Sequence, residues 1–397
     1  MNSRSPIKIR RIALIVGSVV LLAVALLFFR IVARPFWFSP PVRTLDQVSL
    51  HEDVRWCRLT RIDLRDKSDL LPTLRFNGQT VWPRPDLLPA SFDPKLVLTN
   101  AMNPGLGVRD LHRRGITGAG VSVAIIDYSI FGAHPEYAAQ VAEIYRIGDA
   151  KSPTMHGPAV TSLLVGAHCG TAPGAKLYFV VTPDPGGDAA TYAAGLDWIL
   201  KKNETLADKE KIRIVSVSAT PSGKSFRPFK NPRLWDAAFE RAEKKGILVI
   251  DGTVHHGFVG PCRLDPADPE DPAKCIAVLA RNRPTYFDGR LLCPTSPRTV
   301  AEEYKKGKPG FQYCGLQKET IEAAGSSWAM PYCAGIAALG LQVRPELSPG
   351  EIRKLLLESA YVSSDGKRFI NPAAFIAKIE SNSANKNSNT GHASNNP

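Results

Sequence analysis

Acidic residues are missing from the first 43 positions of this 397-residue chain, a stretch that holds seven basic ones. Over half of the net charge of +13 therefore sits there, and the other 354 residues carry 43 basic against 37 acidic side chains, a surplus of only +6. A nucleic-acid binder concentrates basic residues in its folded body, so no nucleic-acid partner is expected. No Cys-x-x-Cys or His-Glu-x-x-His spacing occurs. The commonest metal signatures are thereby absent, and neither a metal nor a cofactor is expected. Seven cysteines are too few for a chain of this length to be a disulfide-held mini-domain. Pro 32 and Gly 31 fall below a collagen or low-complexity signature, and no internal repeat is present. What remains, 44% hydrophobic and 22% charged residues, is a globular composition long enough for one large catalytic domain with additions.

Charge is also absent from residues 12–29, eighteen mostly apolar positions that as a helix span about 27 Å. Extension past Arg30 to Ala33 completes a bilayer crossing if that arginine snorkels. A core helix would show a polar face, and a signal peptide would have a shorter apolar region with a small-x-small cleavage site. An uncleaved transmembrane anchor over 12–33 is expected, with residues 1–11 as a basic cytoplasmic segment. Arg4, Lys8, Arg10 and Arg11 outweigh Arg30, Arg34 and Arg43, which places the body on the extracytoplasmic side. Phe36, Trp37 and Phe38 fit an aromatic belt at the far interface.

Residues 34–102 show no long periodic run and form an extension of uncertain structure. Within 103–380 the pattern changes. Short apolar runs at 121–126, 177–181, 212–217, 247–250 and 276–279 read as buried strands. Helical patterns lie at about 156–167, 188–202, 232–245, 327–343 and 348–358. This alternation implies crossover units and a mainly parallel sheet flanked by helices on both faces, an α/β fold. From Ser381 to Pro397 the tail is Asn/Ser-rich and is expected to be disordered.

Three segments carry chemistry. Asp127 ends the first strand run, His156-Gly157 opens a helix, and Gly325-Ser-Ser-Trp-Ala-Met-Pro331 opens a later one. A serine hydroxyl is a poor nucleophile until a base takes its proton, and that base needs an orienting group on its other nitrogen. Ser327, His156 and Asp127 supply these three types. A serine at a helix start also lies beside free backbone N–H groups, which favour developing negative charge. Singly, each residue is more often a cap or a turn. Their order is more telling. Gly-x-Ser-x-Ala is close to the α/β-hydrolase elbow, but there the order is Ser, acid, His, and after Ser327 the sole histidine is His392 in the tail. With the flanking Ile116-Thr-Gly-Ala-Gly120, His134-Pro135, Ala172-Pro-Gly-Ala-Lys176 and Leu347-Ser-Pro-Gly-Glu351, residues 103 to 360 resemble the subtilisin-like serine peptidases. The resemblance implies a subtilisin-like fold and a membrane-anchored serine endopeptidase acting on peptide or protein substrates. Asp127 would orient, His156 would serve as base and then acid, and Ser327 would attack.

The chain departs from that family in places. Tyr128 and Ser129 follow the aspartate where the family has Ser or Thr and then Gly, which puts the turn in question because glycine tolerates positive φ. The family's oxyanion asparagine is missing from the stretch 250–257, where Thr253 aligns best and His255 is the substitute. Ser218, Ala219 and Thr220 match the substrate-lining strand end, with Thr220 replacing a glycine and narrowing the first specificity pocket. The missing asparagine motivates one rival, a subtilisin-like pseudopeptidase that binds peptides without turnover, and a second is a structural envelope protein whose motif matches are relics. For an outward-facing body, disulfides are expected, with Cys262–Cys275 and Cys293–Cys314 the preferred pairs because they close Pro-rich loops. Cys333 reads as a free buried thiol, while Cys57 and Cys169 stay unassigned.

Overall fold

A computed structural model describes residues 44–148, 155–183, 187–223, 228–253, 255–278, 289–303, 309–316 and 326–390, the last eight without their side chains. The expected anchor over 12–33 and the aromatic belt lie outside these residues. Among the described residues, no helix is long and apolar enough to cross a membrane.

The chain begins with β1 (Phe76–Asn77), α1 (Pro94–Asn100) and α2 (Val108–Arg113). The alternation that follows is β2 (Ser122–Asp127), β3 (Val141–Arg146), α3 (His156–Val165), β4 (Lys176–Val181), α4 (Ala189–Asn203), β5 (Ile212–Val217), α5 (Pro232–Lys244) and β6 (Leu248–Ile250). These five strands, β2 to β6, form one parallel sheet in the order β3-β4-β2-β5-β6. Both faces of β2 are buried, so its side chains alternate between two apolar layers rather than between core and water. Val123 and Ile125 share a core with Leu163 of α3. Ala124 and Ile126 share the other with Tyr192 and Leu196 of α4 and Trp235 of α5.

The second half holds β7 (Val259–Arg263), β8 (Ile276–Ala277), β9 (Leu291–Ser296), β10 (Arg298–Glu303), β11 (Pro309–Cys314), α6 (Ser326–Val343), α7 (Pro349–Glu358), β12 (Tyr361–Val362), β13 (Arg368–Phe369) and α8 (Pro372–Thr390). A five-stranded mixed sheet runs β12-β13-β9-β7-β8, and a smaller antiparallel one runs β1-β11-β10. Helix α6 is buried from Trp328 through Leu341, as a helix apolar all round must be.

Three expectations change. The run at 276–279 is not a strand of the parallel sheet: β8 pairs antiparallel with β7 on a sheet edge, and Ile276 is 48% exposed. Residues 44–102 are structured. Phe76 and Tyr313 pack at a tilt in a third core with Leu59, Leu71 and Leu74, built from sparse apolar positions with no period to read. The helix α8 continues past Ser381 to Thr390, carried on from a segment anchored by buried Phe375, Ile376 and Ile379.

Candidate active site

The end of β2 and the start of α3 bring Asp127 and His156 into contact, and the start of α6, which carries Ser327, lies beside them through Trp328. Asp127 is the last residue of β2 and is 4% exposed. Its Oδ1 accepts the Tyr128 backbone N–H at 2.7 Å and lies 2.7 Å from His156 Nδ1. A carboxylate only accepts, so Nδ1 carries the proton and Nε2 is left as the basic nitrogen. Burial works against a charged His156 ring, but the Asp127 carboxylate outweighs it and raises the imidazole pKa above its ordinary value.

His156 reaches Asp127 because the residue after it is glycine. A Cβ on Gly157 would stand 2.5 Å from the Ser129 carbonyl oxygen and 2.7 Å from that of Tyr128. The first turn of α3 therefore rests directly on the turn after β2. That turn makes do without its own glycine, since neither Tyr128 nor Ser129 is among the residues with positive φ. Arg146 donates to Ser129 Oγ at 3.0 Å instead. The His156 ring lies between Tyr128 and Trp328, each with centroids 5.3 Å away. The sequence placed Tyr128 and Trp328 beside triad candidates, but only the fold makes both of them neighbours of the His156 ring.

Ser327 sits in the first turn of α6, where backbone N–H groups lack intrahelical acceptors. Four residues on, Pro331 has no N–H to give to the Ser327 carbonyl. Ser218, just past β5, fills that place: its Oγ donates to Ser327 O at 2.8 Å. In return, Ser327 Oγ donates to the Ser218 carbonyl at a long 3.5 Å. Ser218, Ala219 and Thr220 thus run beside the start of α6. The Ala219 carbonyl accepts the Gly252 N–H at 2.8 Å, and Thr220 Oγ1 would stand 2.8 Å from a Cβ on Gly252. Glycine at 252 makes the room that threonine at 220 takes.

The two oxyanion candidates are directed elsewhere. Thr253 is fully buried, its hydroxyl donates to Asp251 Oδ1 at 2.8 Å, and that carboxylate also accepts Trp235 Nε1–H at 2.8 Å. With its proton committed, the Thr253 hydroxyl is not a donor to substrate in this arrangement. His255 Nε2 lies 3.0 Å from Asp236 Oδ1 on α5. The backbone N–H groups at the start of α6 are left as the donors nearest Ser327.

All seven cysteines are buried. Cys262 and Cys275 are neighbours, but the expected disulfide between them is not formed in this structure. Cys293 on β9 instead neighbours Cys333 on α6, and Cys314 lies on β11 in a different sheet. The expected Cys293–Cys314 pair is replaced by a contact that loop length could not reveal.

Comparison with known proteins agrees with this architecture. The chain is 28% identical over 282 residues to the subtilisin-like protease PopC of Myxococcus xanthus, covering 64% of this chain and 58% of that protein. It is 29% identical over 277 residues to the serine protease AprX of Bacillus subtilis, covering 61% of each. The chain therefore spans about three fifths of the length of these relatives. Among solved structures, a chain of the subtilase cytotoxin SubAB assembly superposes with a TM-score of 0.52 over 72% of this chain and 97% of that one, at 14% identity, a likeness of fold alone. The family model for subtilases matches residues 118–395, which include Asp127, His156 and Ser327, and the chain belongs to the subtilase family.

Proposed function

We propose that the protein is a serine endopeptidase held in a membrane by residues 12–33, with its folded body on the extracytoplasmic side. The observation that carries the catalytic part is the 2.7 Å contact of His156 Nδ1 with a buried Asp127, beside a helix whose first turn presents Ser327. Asp127 fixes the tautomer, His156 Nε2 takes the Ser327 proton, and Oγ attacks the peptide carbonyl to form an acyl-enzyme that water resolves. The hydroxyl must leave its long contact with the Ser218 carbonyl for this, a rotation that substrate binding favours. The tetrahedral oxyanion would rest on backbone N–H groups at the start of α6. Loss of one side-chain donor from such a hole costs about a hundred- to a thousandfold in turnover, so slow but measurable hydrolysis is expected.

The committed hydroxyl of Thr253 favours a second reading, a peptide-binding module without turnover. A fluorophosphonate probe separates the two. The full-length protein should label covalently and cleave peptides from a diverse library, while Ser327→Ala should do neither and still bind them. Absence of labelling in the unsubstituted protein, with peptide binding retained, would establish the second reading instead.

A further inference from the structure

Three side chains beside the Asp251–Gly257 turn converge without a role in the triad. Asp236 Oδ1, on the second turn of α5, lies 3.0 Å from His255 Nε2 and 3.4 Å from His256 Nε2. Ser222 Oγ stands 2.5 Å from the same carboxylate oxygen and 3.2 Å from His255 Nε2. The ligand atoms of Asp236, His255 and His256 all lie within 4.8 Å of one another.

We propose that Asp236, His255 and His256 form a binding site for a divalent transition-metal ion of the zinc class, with Ser222 Oγ or a water as fourth ligand. Tetrahedral bonds of 2.0–2.1 Å require ligand atoms about 3.3 Å apart. The contacts of 3.0, 3.4 and 3.2 Å are close to those edges, and the 2.5 Å contact of Ser222 with Asp236 must lengthen or give way to a water, so side-chain shifts admit the ion. Two imidazoles and one carboxylate are a donor set that suits zinc, whereas calcium takes six to eight oxygens. The surroundings of His256 are those of a metal ligand. Its Nδ1 lies 2.6 Å from Thr253 Oγ1 and 3.3 Å from Asp251 Oδ1, a carboxylate-backed arrangement that fixes tautomer and ring orientation. Phe239 stacks on the ring with centroids 3.9 Å apart. Access is open from the other side, since the His255 and Asp236 side chains are 49% and 36% exposed.

Bound metal would tie α5 to the turn that follows β6 through His256, Thr253 and Asp251, and so hold the stretch where the family keeps its oxyanion side chain. Sequence spacing could not show this site. Its histidines are adjacent in the chain, and the third donor lies nineteen residues earlier on a helix.

The test is zinc uptake by full-length protein in detergent, read by calorimetric titration with Zn2+ and by elemental analysis after dialysis. One ion per chain is expected, with affinity falling at least about tenfold in both His255→Ala and Asp236→Asn, each shown by circular dichroism to fold. Absence of stoichiometric zinc, equal affinity in both folded variants, or preference for Ca2+ would overturn the site and leave a hydrogen-bonded cluster only. Metal content is measured without substrate, so its failure is distinct from failure of the peptidase reading.

Discussion

His156 carries the pH dependence of the proposed chemistry. Its proton acceptor must be neutral to take the Ser327 proton, and Asp127 raises its pKa above the ordinary 6.5 by favouring the charged ring. Lowering pH therefore protonates the base and stops attack, so kcat/KM should fall with an inflection above 6.5. Asp127→Asn removes both the charge and the tautomer control, and should cost about 10⁴-fold in kcat, as in other triads of this type. A pH–rate profile of both proteins checks this, and an inflection at or below the ordinary histidine value would contradict the geometry. Asp127, His156 and Ser327 were legible in the sequence because each sits in a short segment of recognisable residue types and the three follow one another in a telling order. Ser218 as partner of the Ser327 carbonyl was not, since the vacancy left by Pro331 is filled across 109 residues.

Among the elements, the small sheet of β1, β11 and β10 joins residues 44–102 to the rest. On its outer strand β10, Glu302 is fully buried, accepts from Asn77 Nδ2 at 2.6 Å and lies 3.6 Å from Arg55. Burial is the leading influence on its carboxyl and, despite Asn77 and Arg55, pushes its pKa from 4.5 to about 7. The folded state thus prefers the protonated acid. Stability from this group is complete below pH 4.5 and is lost as pH rises through about 7, at most on the order of 3 kcal/mol. Glu302→Gln keeps the neutral form at every pH, so its unfolding free energy should fall less than that of the unsubstituted protein between pH 4.5 and 7. Denaturant titrations across that window measure the difference, and parallel curves would refute it. Sequence reading missed this module because strands as short as β1 have no period, and its core assembles from positions scattered between Val54 and Tyr313. The long crossover helices were legible for the opposite reason: ten or more residues must each bury one face.

For the whole molecule, the asymmetry of charge along the chain is the feature that bears on location. Arg4, Lys8, Arg10 and Arg11 precede the apolar stretch 12–33, and the body beyond residue 43 is nearly balanced. If the positive cluster stays inside, protease added to spheroplasts should digest the body and spare an N-terminal tag. Recovery of the body as a soluble species cut near Arg34 would rule out a retained anchor.

The sequence by itself determined the α/β alternation, the subtilase resemblance and the three positions proposed as the triad, because periodicity, turn glycines and short motifs are properties of neighbours along the chain. The tertiary structure alone decided which cysteines meet, where the Thr253 hydroxyl gives its proton and that Asp236 joins His255 and His256. Those contacts depend on distance in space between segments whose separation along the chain carries no record of it.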